Sequence, residues 1–263
     1  MNIVVCIKQV PDTTEVKLDP VTGTLIRKGV PSIINPDDKA GIEAALELKD
    51  AAPEGDVTVT VVSMGPEQAK LALNEALAMG ADRAILLTDR VFAGSDTWAT
   101  SSVLAGALKK IDFDLIIAGR QAIDGDTAQV GPQIAEHLGI PSVSYVADVE
   151  RGESSIVVKR IFEDSYQKLR VNYPCLITTL REMNEARYMR IGRIYKAYKA
   201  DNVETWGFDD VDVDLANVGL KGSPTKVKKS GTKGVKAAGK VFELPPREAA
   251  KLVVEKLQEQ YIL

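Results

Sequence analysis

Short apolar runs alternate with helix-patterned segments along the first half of the chain, and this alternation constrains the fold more than any other feature. The runs are rich in β-branched residues, which favour strands, and the segments between them repeat apolar residues at helical spacing. Strands are predicted at residues 3–7, 57–62, 84–87, 115–118 and 175–179, and helices at 37–49, 66–79, 96–110 and 127–138. Repeated strand–helix units predict a doubly wound, mostly parallel α/β sheet with helices on both faces.

The pattern changes beyond residue 143. Three strand-like segments, at 144–149, 155–162 and 167–171, are separated by turn residues and predict antiparallel hairpins appended to the sheet. A helix is predicted at 188–198. The chain is therefore divided into an α/β domain, residues 1–200, and a C-terminal arm, residues 201–263.

The arm ends in an amphipathic segment that begins with proline. A polar, lysine-rich stretch, residues 221–240, precedes it and resembles a solvated linker. The apolar residues Ala249, Leu252, Val253 and Leu257 share one helical face, which needs a surface to cover it. That surface belongs either to the chain's own domain or to a partner.

Composition excludes several classes of protein. The chain has 263 residues, 45% of them hydrophobic and 27% charged, which is typical of a soluble globular protein. The net charge of −4 does not favour nucleic acid or a membrane surface. No apolar run reaches the ~20 residues that a membrane span needs. The N-terminus enters a strand pattern at once without a leader-like segment, so a cytoplasmic location is expected.

The cysteine and histidine content argues against several kinds of chemistry. Cys6 and Cys175 lie in apolar strand-like runs and are expected to be reduced and buried. The single histidine, His137, is expected to be a partly exposed helix residue. No metal ligands and no catalytic nucleophile–base pair are predicted, so any catalysis has to come from a bound cofactor.

The segment that follows residue 118 carries the strongest functional signal. It contains Gly119, Gly125 and the polar residues Asp124, Asp126 and Thr127 between a strand and a helix. Such a junction suits a phosphate, because free backbone N–H groups and the positive end of the helix dipole favour an anion there. The alternative is an ordinary turn capped by Asp126 or Thr127.

Five motifs in the same order resemble the electron transfer flavoprotein β subunit. They are Val5 to Thr13, Ile34 to Asp38, Ala118 to Pro132, Met183 to Tyr188 and Gly219 to Thr225. The resemblance spans most of the chain. It implies a Rossmann-like sheet of the adenine-nucleotide-binding type and a heterodimer with an α subunit, which the C-terminal arm clasps.

The resemblance and the ends of the predicted strands together define a cofactor site. The predicted cofactor contacts are Cys6, Ile7, Lys8, Asn35, Asp38, Met64, Asp96, Thr97, Thr100, Gly119, Arg120, Gln121, Ala122, Ile123, Asp124, Gly125, Asp126, Thr127, Ala128, Gln129 and Val130. The partner contacts implied by the resemblance are Met183, as a hydrophobic anchor, with Asn184 and Glu185. From sequence alone, this loop also fits a plain strand-to-helix connection in which Asn184 caps the helix.

Two branches of the family remain open. In one, the β subunit binds FAD and the complex bifurcates electrons from NADH to ferredoxin or flavodoxin and to an acyl-CoA dehydrogenase. In the other, the β subunit holds AMP as a structural and docking subunit, and α carries the only FAD. Arg120 departs from the lysine usual in the AMP branch, and the small residues Gly125 and Ala128 leave room for a longer ligand, which favours FAD. A stand-alone nucleotide-binding module is the third hypothesis, and the arm argues against it.

Overall fold

A computed structural model describes residues 1–12, 31–200, 202–226 and 239–263, and every structural statement below refers to these residues. Thr13 and most of the lysine-rich stretch lie outside them. Two compact units are present, Met1–Ser230 and Gly231–Leu263.

Eleven strands form within the described residues. They are β1 (Asn2–Cys6), β2 (Gln9–Pro11), β3 (Ser32–Ile34), β4 (Thr58–Met64), β5 (Arg83–Leu87), β6 (Leu115–Gly119), β7 (Ser142–Arg151), β8 (Ser155–Ile161), β9 (Tyr166–Asn172), β10 (Cys175–Thr179) and β11 (Val203–Trp206). Nine of them make one sheet in the order β11-β5-β4-β1-β6-β10-β7-β8-β9, while β2 and β3 pair separately. The predicted α/β fold with a mostly parallel sheet is confirmed.

Helices connect most of the parallel strands. They are α1 (Pro36–Asp50), α2 (Lys70–Met79), α3 (Thr97–Leu108), α4 (Val130–Leu138), α5 (Ile191–Lys199), the single turn α6 (Gly219–Gly222) and α7 (Pro246–Glu259). Pro36 occupies the first helical position of α1, where a missing N–H costs nothing. Gly80, with φ of +143°, ends α2.

The sheet buries side chains on both faces, as its apolar strands require. On one face Ile3, Val5 and their neighbours pack in a core that includes residues of α1 and α2. On the other face Val4 and Cys6 belong to a second core with residues of α3 and α4. Strand β1 is central, because its residue Val4 pairs in parallel with Thr60 of β4 and with Ile116 of β6.

The hairpin region joins the sheet differently from the prediction. Strand β7 is not only a hairpin strand, since its first half pairs in parallel with β10. Its second half pairs antiparallel with β8, which in turn pairs antiparallel with β9. The register shift between Val146 and Asp148 marks the change, and β7 thus joins the parallel and antiparallel parts.

The chain returns to the sheet after residue 200. Strand β11 pairs in parallel with β5 at the sheet edge, and Val203 is buried there. This strand was not predicted, because its sequence Val-Glu-Thr-Trp shows no apolar run. Residues 203–226 thus belong to the compact unit that ends at Ser230, whereas the arm was expected to start at residue 201.

The second unit contains α7. None of its side chains is buried within the described part of the chain, and Val253 and Tyr261 are largely exposed. No helix in the described ranges is long and apolar enough to cross a membrane.

Candidate functional site

The direction of the connections reverses between β1 and β6. From β1 the chain passes through α1 to β4 on one side, whereas β6 lies on the other side of β1. In a doubly wound sheet, this switch point opens a crevice at the carboxyl ends of the strands, where ligands bind. The residues that follow β1 and β6 are Lys8 and the segment from Arg120 to Gln129, which we call the nucleotide loop.

The nucleotide loop combines a tight turn with two unusual backbone conformations. The carbonyl of Ala122 accepts hydrogen bonds from the N–H groups of Gly125 and Asp126, at 3.2 and 2.9 Å. Asp126 and Ala128 have positive φ values of 49° and 53°. Such values cost a residue with a Cβ about 1 kcal/mol or more, and they cluster at functional sites.

Helix α4 begins later than predicted because of this backbone. Its first residue is Val130 rather than Thr127, and no side chain in the described residues caps it. The alternative, in which Asp126 or Thr127 caps the helix, is therefore wrong. The N–H groups of its first turn are therefore not occupied by a side-chain cap, which is the arrangement that suits an anion.

Lys8 brings a positive charge to the same crevice. Its ammonium lies 2.6 Å from the carboxylate of Asp124, whose side chain is only 4% exposed. A second side-chain bond within the loop joins Gln121 to Asp126, at 2.9 Å. A third joins the loop to the start of α3, where the Thr97 hydroxyl donates to Gln129 Oε1 at 3.0 Å.

Asn35 and Asp38 were predicted to contact the cofactor, and the structure places both in the protein interior. The carboxylate of Asp38 accepts the backbone N–H groups of Lys8, at 2.7 Å, and Gly119, at 3.1 Å. The amide of Asn35 donates to the Gln121 carbonyl at 2.9 Å and accepts the Ile123 N–H at 3.0 Å. These side chains hold the strand ends and the loop in place.

Gly119 is required by this packing. A Cβ on Gly119 would lie 2.0 Å from Asp38 Oδ1, so any larger residue would displace the carboxylate. A Cβ on Gly125, by contrast, would meet no atom within 4 Å.

Burial shifts the ionisation of Asp38 and Cys6. Desolvation raises the pKa of Asp38 to about 7, although hydrogen bonds from Asn35, Lys8 and Gly119 act in the opposite direction. Desolvation, with a further contribution from Asp38, raises the pKa of the Cys6 thiol to about 12. Cys6 and Cys175 are buried and free, as predicted.

The polar groups at the start of α3 are bonded to other residues of this chain. Asp96 caps the helix by accepting the Ala99 N–H at 3.0 Å, and it also accepts the N–H and hydroxyl of Thr225, at 2.9 and 2.6 Å. Desolvation opposes ionisation, but these bonds outweigh it and lower the pKa of Asp96. Ser223 accepts the Asp96 N–H at 2.8 Å. The segment from Gly219 to Thr225 was expected to belong to the arm, and its contact with the start of α3 was not predicted.

The remaining predicted contacts lie at or after the ends of β1, β4 and β6 and in the first turn of α3. Met64 ends β4 and packs on the second core, and Ile7 donates its N–H to the Val62 carbonyl at 2.8 Å. Thr100 lies within the first turn of α3. Gly119 is the last residue of β6, and Arg120, Ala122, Ile123, Thr127 and Val130 come after it along the chain.

The predicted partner contacts lie in the residues after β10. Met183 is half-buried and lines a groove of about 590 Å³ between the end of α1 and the β7–β8 turn. Asn184 does not cap a helix, because α5 begins only at Ile191, and its amide instead donates to the Ala40 carbonyl at 3.1 Å. Glu185 is exposed.

More exposed apolar side chains lie just beyond. Tyr188 is 95% exposed, Ile191 87% and Tyr195 60%. We call these three residues the apolar patch. All charged residues from 187 to 199 are arginine or lysine, so the patch lies in a cationic segment.

His137 contacts polar and aromatic side chains of α3. Its Nε2 lies 3.1 Å from the Ser101 hydroxyl, and its ring meets Trp98 edge-on at 5.6 Å. It is partly exposed on α4, as predicted.

Comparisons with known proteins identify the family. The family model described as electron transfer flavoprotein domain matches residues 22–210. The electron transfer flavoprotein subunit beta of Clostridium acetobutylicum is 59% identical over the whole of both chains. The chain belongs to the electron transfer flavoprotein β-subunit family.

Other relatives of this family match over their full length as well. The caffeyl-CoA reductase-Etf complex subunit CarD of Acetobacterium woodii is 49% identical over the whole of both chains. The acryloyl-CoA reductase electron transfer subunit gamma of Anaerotignum propionicum is 43% identical, again over the whole of both chains. Family membership makes this chain an electron-transfer subunit.

Proposed function

We propose that this chain is the β subunit of a heterodimeric electron transfer flavoprotein that binds FAD at the switch point. In the proposed reaction, the complex takes electrons from NADH and bifurcates them, sending one to ferredoxin or flavodoxin and the other to an acyl-CoA dehydrogenase. The observation that carries the proposal is the uncapped start of α4, which follows a strained loop tied to Lys8. The relatives named as subunits of CoA-ester reductase complexes support this kind of electron acceptor.

The donor chemistry of the crevice fits an adenine nucleotide. The Lys8 ammonium, the exposed Thr127 hydroxyl and the first N–H groups of α4 suit phosphate oxygens. Asp126 suits ribose hydroxyls instead, because a carboxylate repels phosphate. When bound, FAD would supply the redox chemistry, and the chain's residues would hold and orient it.

The space around the loop favours FAD over AMP. No atom lies within 4 Å of a Cβ built on Gly125, so a longer ligand finds room beside it. AMP is the alternative ligand, because AMP and FAD share the same adenosine phosphate. In that case the chain is a structural and docking subunit, and α carries the only FAD.

Docking involves two separate parts of the chain. We propose that the apolar patch contacts the dehydrogenase together with Met183, Asn184 and Glu185. The patch exposes its apolar side chains to solvent, whereas Met183 is half-buried. The cations around it favour an acidic surface on the partner. We propose that α7 contacts the α subunit, since none of the residues of this helix is buried in the described part of the chain.

The test is the cofactor content of the heterodimer. The chain is co-expressed with its α subunit in a cytoplasmic system, the predicted location, and FAD and AMP released on denaturation are quantified. Two FAD and no AMP per heterodimer support the bifurcating proposal, and NADH-driven ferredoxin reduction is then assayed. One FAD with one AMP supports the alternative, and a heterodimer whose only nucleotide is a single FAD bound by α would refute the nucleotide site.

A further inference from the structure

Helix α1 supports both regions that the proposed function uses. Residues at its start, Asn35 and Asp38, bind the nucleotide loop and the end of β6. Residues further along α1 bind the segment of residues 181–190, which we call the docking segment. The Ala40 carbonyl accepts from Asn184, and the Glu43 carboxylate accepts the Arg187 guanidinium at 2.8 Å.

Asp37 contacts both regions at once. Its Oδ1 accepts the backbone N–H of Arg181, the first residue of the docking segment, at 3.0 Å. Its Oδ2 lies 3.3 Å from Arg120 Nε and 3.4 Å from the Gln121 N–H, both in the nucleotide loop. The two oxygens of one carboxylate thus serve two functional regions.

The surroundings of Asp37 make these contacts consequential. Its side chain is only 7% exposed, so water cannot replace a lost partner easily. Its own carbonyl accepts the buried Thr179 hydroxyl at 3.0 Å, which fixes the backbone that carries the carboxylate. A shift of the carboxylate toward one region therefore weakens its contact with the other.

We propose that Asp37 is a positioning residue that couples the nucleotide loop to the docking segment. Through it, the occupancy of the cofactor crevice changes the geometry of the surface that meets the dehydrogenase. The proposal rests on the proposed function for what each region binds. The contacts of Asp37 exist independently of any ligand, and they can be tested without one.

Asn35, the residue before α1, and Glu43, within α1, provide matched controls. The side chain of Asn35 bonds the nucleotide loop and Asp38, whereas the side chain of Glu43 bonds the docking segment. If these side chains merely stabilised α1, replacing Asn35, Asp37 or Glu43 would affect the nucleotide loop and the docking segment alike. A coupling residue has effects at both regions, while the controls affect one region each.

The first experiment measures hydrogen–deuterium exchange in the purified complex of the full chain with its α subunit, without added nucleotide. Asp37→Ala is expected to speed exchange about tenfold in peptides covering residues 119–127 and 181–190. Asn35→Ala is expected to do so only in the first peptide, and Glu43→Ala only in the second. Peptides from α2 report global stability and are expected to stay unchanged. Faster exchange in only one region of Asp37→Ala, or throughout the chain, would overturn the proposal.

A gentler variant keeps the experiment decisive if Asp37→Ala does not fold. Arg120→Met removes the charged partner of Asp37 from the nucleotide loop alone. Faster exchange in residues 181–190 of this variant supports coupling, because the partners that the structure records for Arg120 are Asp37 and the Thr179 carbonyl, both outside that segment. Unchanged exchange in that peptide would contradict it.

The second experiment uses AMP and FAD as probes, in separate samples of complex stripped of nucleotide. Either probe is expected to change exchange in residues 181–190 of the wild type, and not in Asp37→Asn. A probe that binds but gives the same change in Asp37→Asn overturns the coupling and leaves the proposed function standing. If neither probe binds the wild type at the crevice, the proposed function fails, and the nucleotide-free comparison decides the role of Asp37.

Discussion

The ammonium of Lys8 lies 2.6 Å from the carboxylate of Asp124, and this ion pair joins the end of β1 to the nucleotide loop across the switch point. Asp124 is nearly inaccessible to water, whereas Lys8 is 42% exposed. The lysine thus neutralises a buried charge on one side and presents its remaining donors to the crevice on the other. An anion bound there shares Lys8 with Asp124.

Replacement of Lys8 with methionine is expected to weaken nucleotide binding about tenfold or more, because the crevice loses its cation and Asp124 stays buried without a partner. The free energy of unfolding is expected to fall by about 1–3 kcal/mol. Isothermal titration with AMP and FAD measures the first effect, and urea unfolding the second. Lys39→Met, which breaks the more exposed pair with Glu75, is the control and is expected to leave nucleotide affinity unchanged. Equal affinities in the two variants would contradict a phosphate role for Lys8.

Replacement of Gly125 with valine is expected to lower the cofactor content while leaving the thermal midpoint nearly unchanged. The new side chain meets no protein atom near its Cβ, so it occupies only space available to a ligand. Cofactor release and thermal unfolding of the purified complex measure both effects. Gly192→Val places the same side chain in equally open space at the start of α5, and its cofactor content is expected to equal that of the wild type. Full cofactor content in Gly125→Val would remove this part of the loop from the site.

Truncation of Ile191 to alanine is expected to raise the KM for the acyl-CoA dehydrogenase by about tenfold, since the few residues that anchor an interface each cost more than about 1 kcal/mol when truncated. Flavin content and stability are expected to stay unchanged, because Ile191 is 87% exposed. Steady-state reduction of the dehydrogenase measures the effect.

Two further variants sharpen the docking test. Met183→Ala is expected to weaken docking without loss of flavin, and also to lower stability, because Met183 packs against the core. Leu215→Ala removes a leucine that is 57% exposed and lies outside the patch, and it is expected to have no effect on the KM. A normal KM in Ile191→Ala would exclude the patch as the anchor.

The stability of the protein is expected to depend on the ionisation of Asp38. Its pKa rises from 3.8 to about 7 on folding, chiefly through burial, so the folded state binds the proton more tightly than the unfolded state. The stabilising contribution of this group is then full below about pH 4 and declines as the pH rises to about 7. Asp38→Asn cannot ionise, and the free energy difference between it and the wild type is expected to change over that range. Urea unfolding at several pH values measures it, and a constant difference would exclude the effect.

The contribution of Asp96 to stability is expected to have the opposite pH dependence to that of Asp38, so it serves as an internal comparison. Its pKa is lowered on folding, because bonds from Ala99 and Thr225 outweigh desolvation. Its contribution is present above the ordinary carboxyl pKa and declines as the pH falls through the lowered value. In Asp96→Asn, stability is therefore expected to approach that of the wild type in acid.

The parallel sheet could be predicted because its strands are short apolar runs between recognisable helices. Strand β11 could not be predicted, because its place at the sheet edge depends on backbone pairing with β5. Only Val203 is fully buried in it, and Trp206 is partly buried. The two pairings of β7 could not be predicted either. Its sequence pattern is that of one strand and does not show that its first half pairs in parallel with β10 and its second half antiparallel with β8. The start of α4 was placed three residues early because positive φ values at Asp126 and Ala128 are not marked by glycine.

The location of the candidate site followed from the motifs, but the roles within it did not. Asn35 and Asp38 have the polar groups of ligand contacts, and only the fold reveals that backbone N–H groups already occupy them. Met183 was chosen by resemblance, whereas exposure distinguishes Tyr188 and Ile191. Their signal was available as apolar residues at helical spacing within a cationic stretch. Ile191 begins α5, whose buried residue is Ala197, and Tyr188 lies three residues before Ile191.

The position of β11 has a consequence for how the chain is made. Strand β5 is complete at residue 87, yet its outer neighbour is formed by residues 203–206, after the chain has crossed from β10 at the other side of β1. On a ribosome, the edge of β5 stays unpaired while more than a hundred further residues are synthesised, and unpaired strand edges invite aggregation. A nascent chain halted before residue 203 is therefore expected to depend on chaperones more than one halted after residue 206.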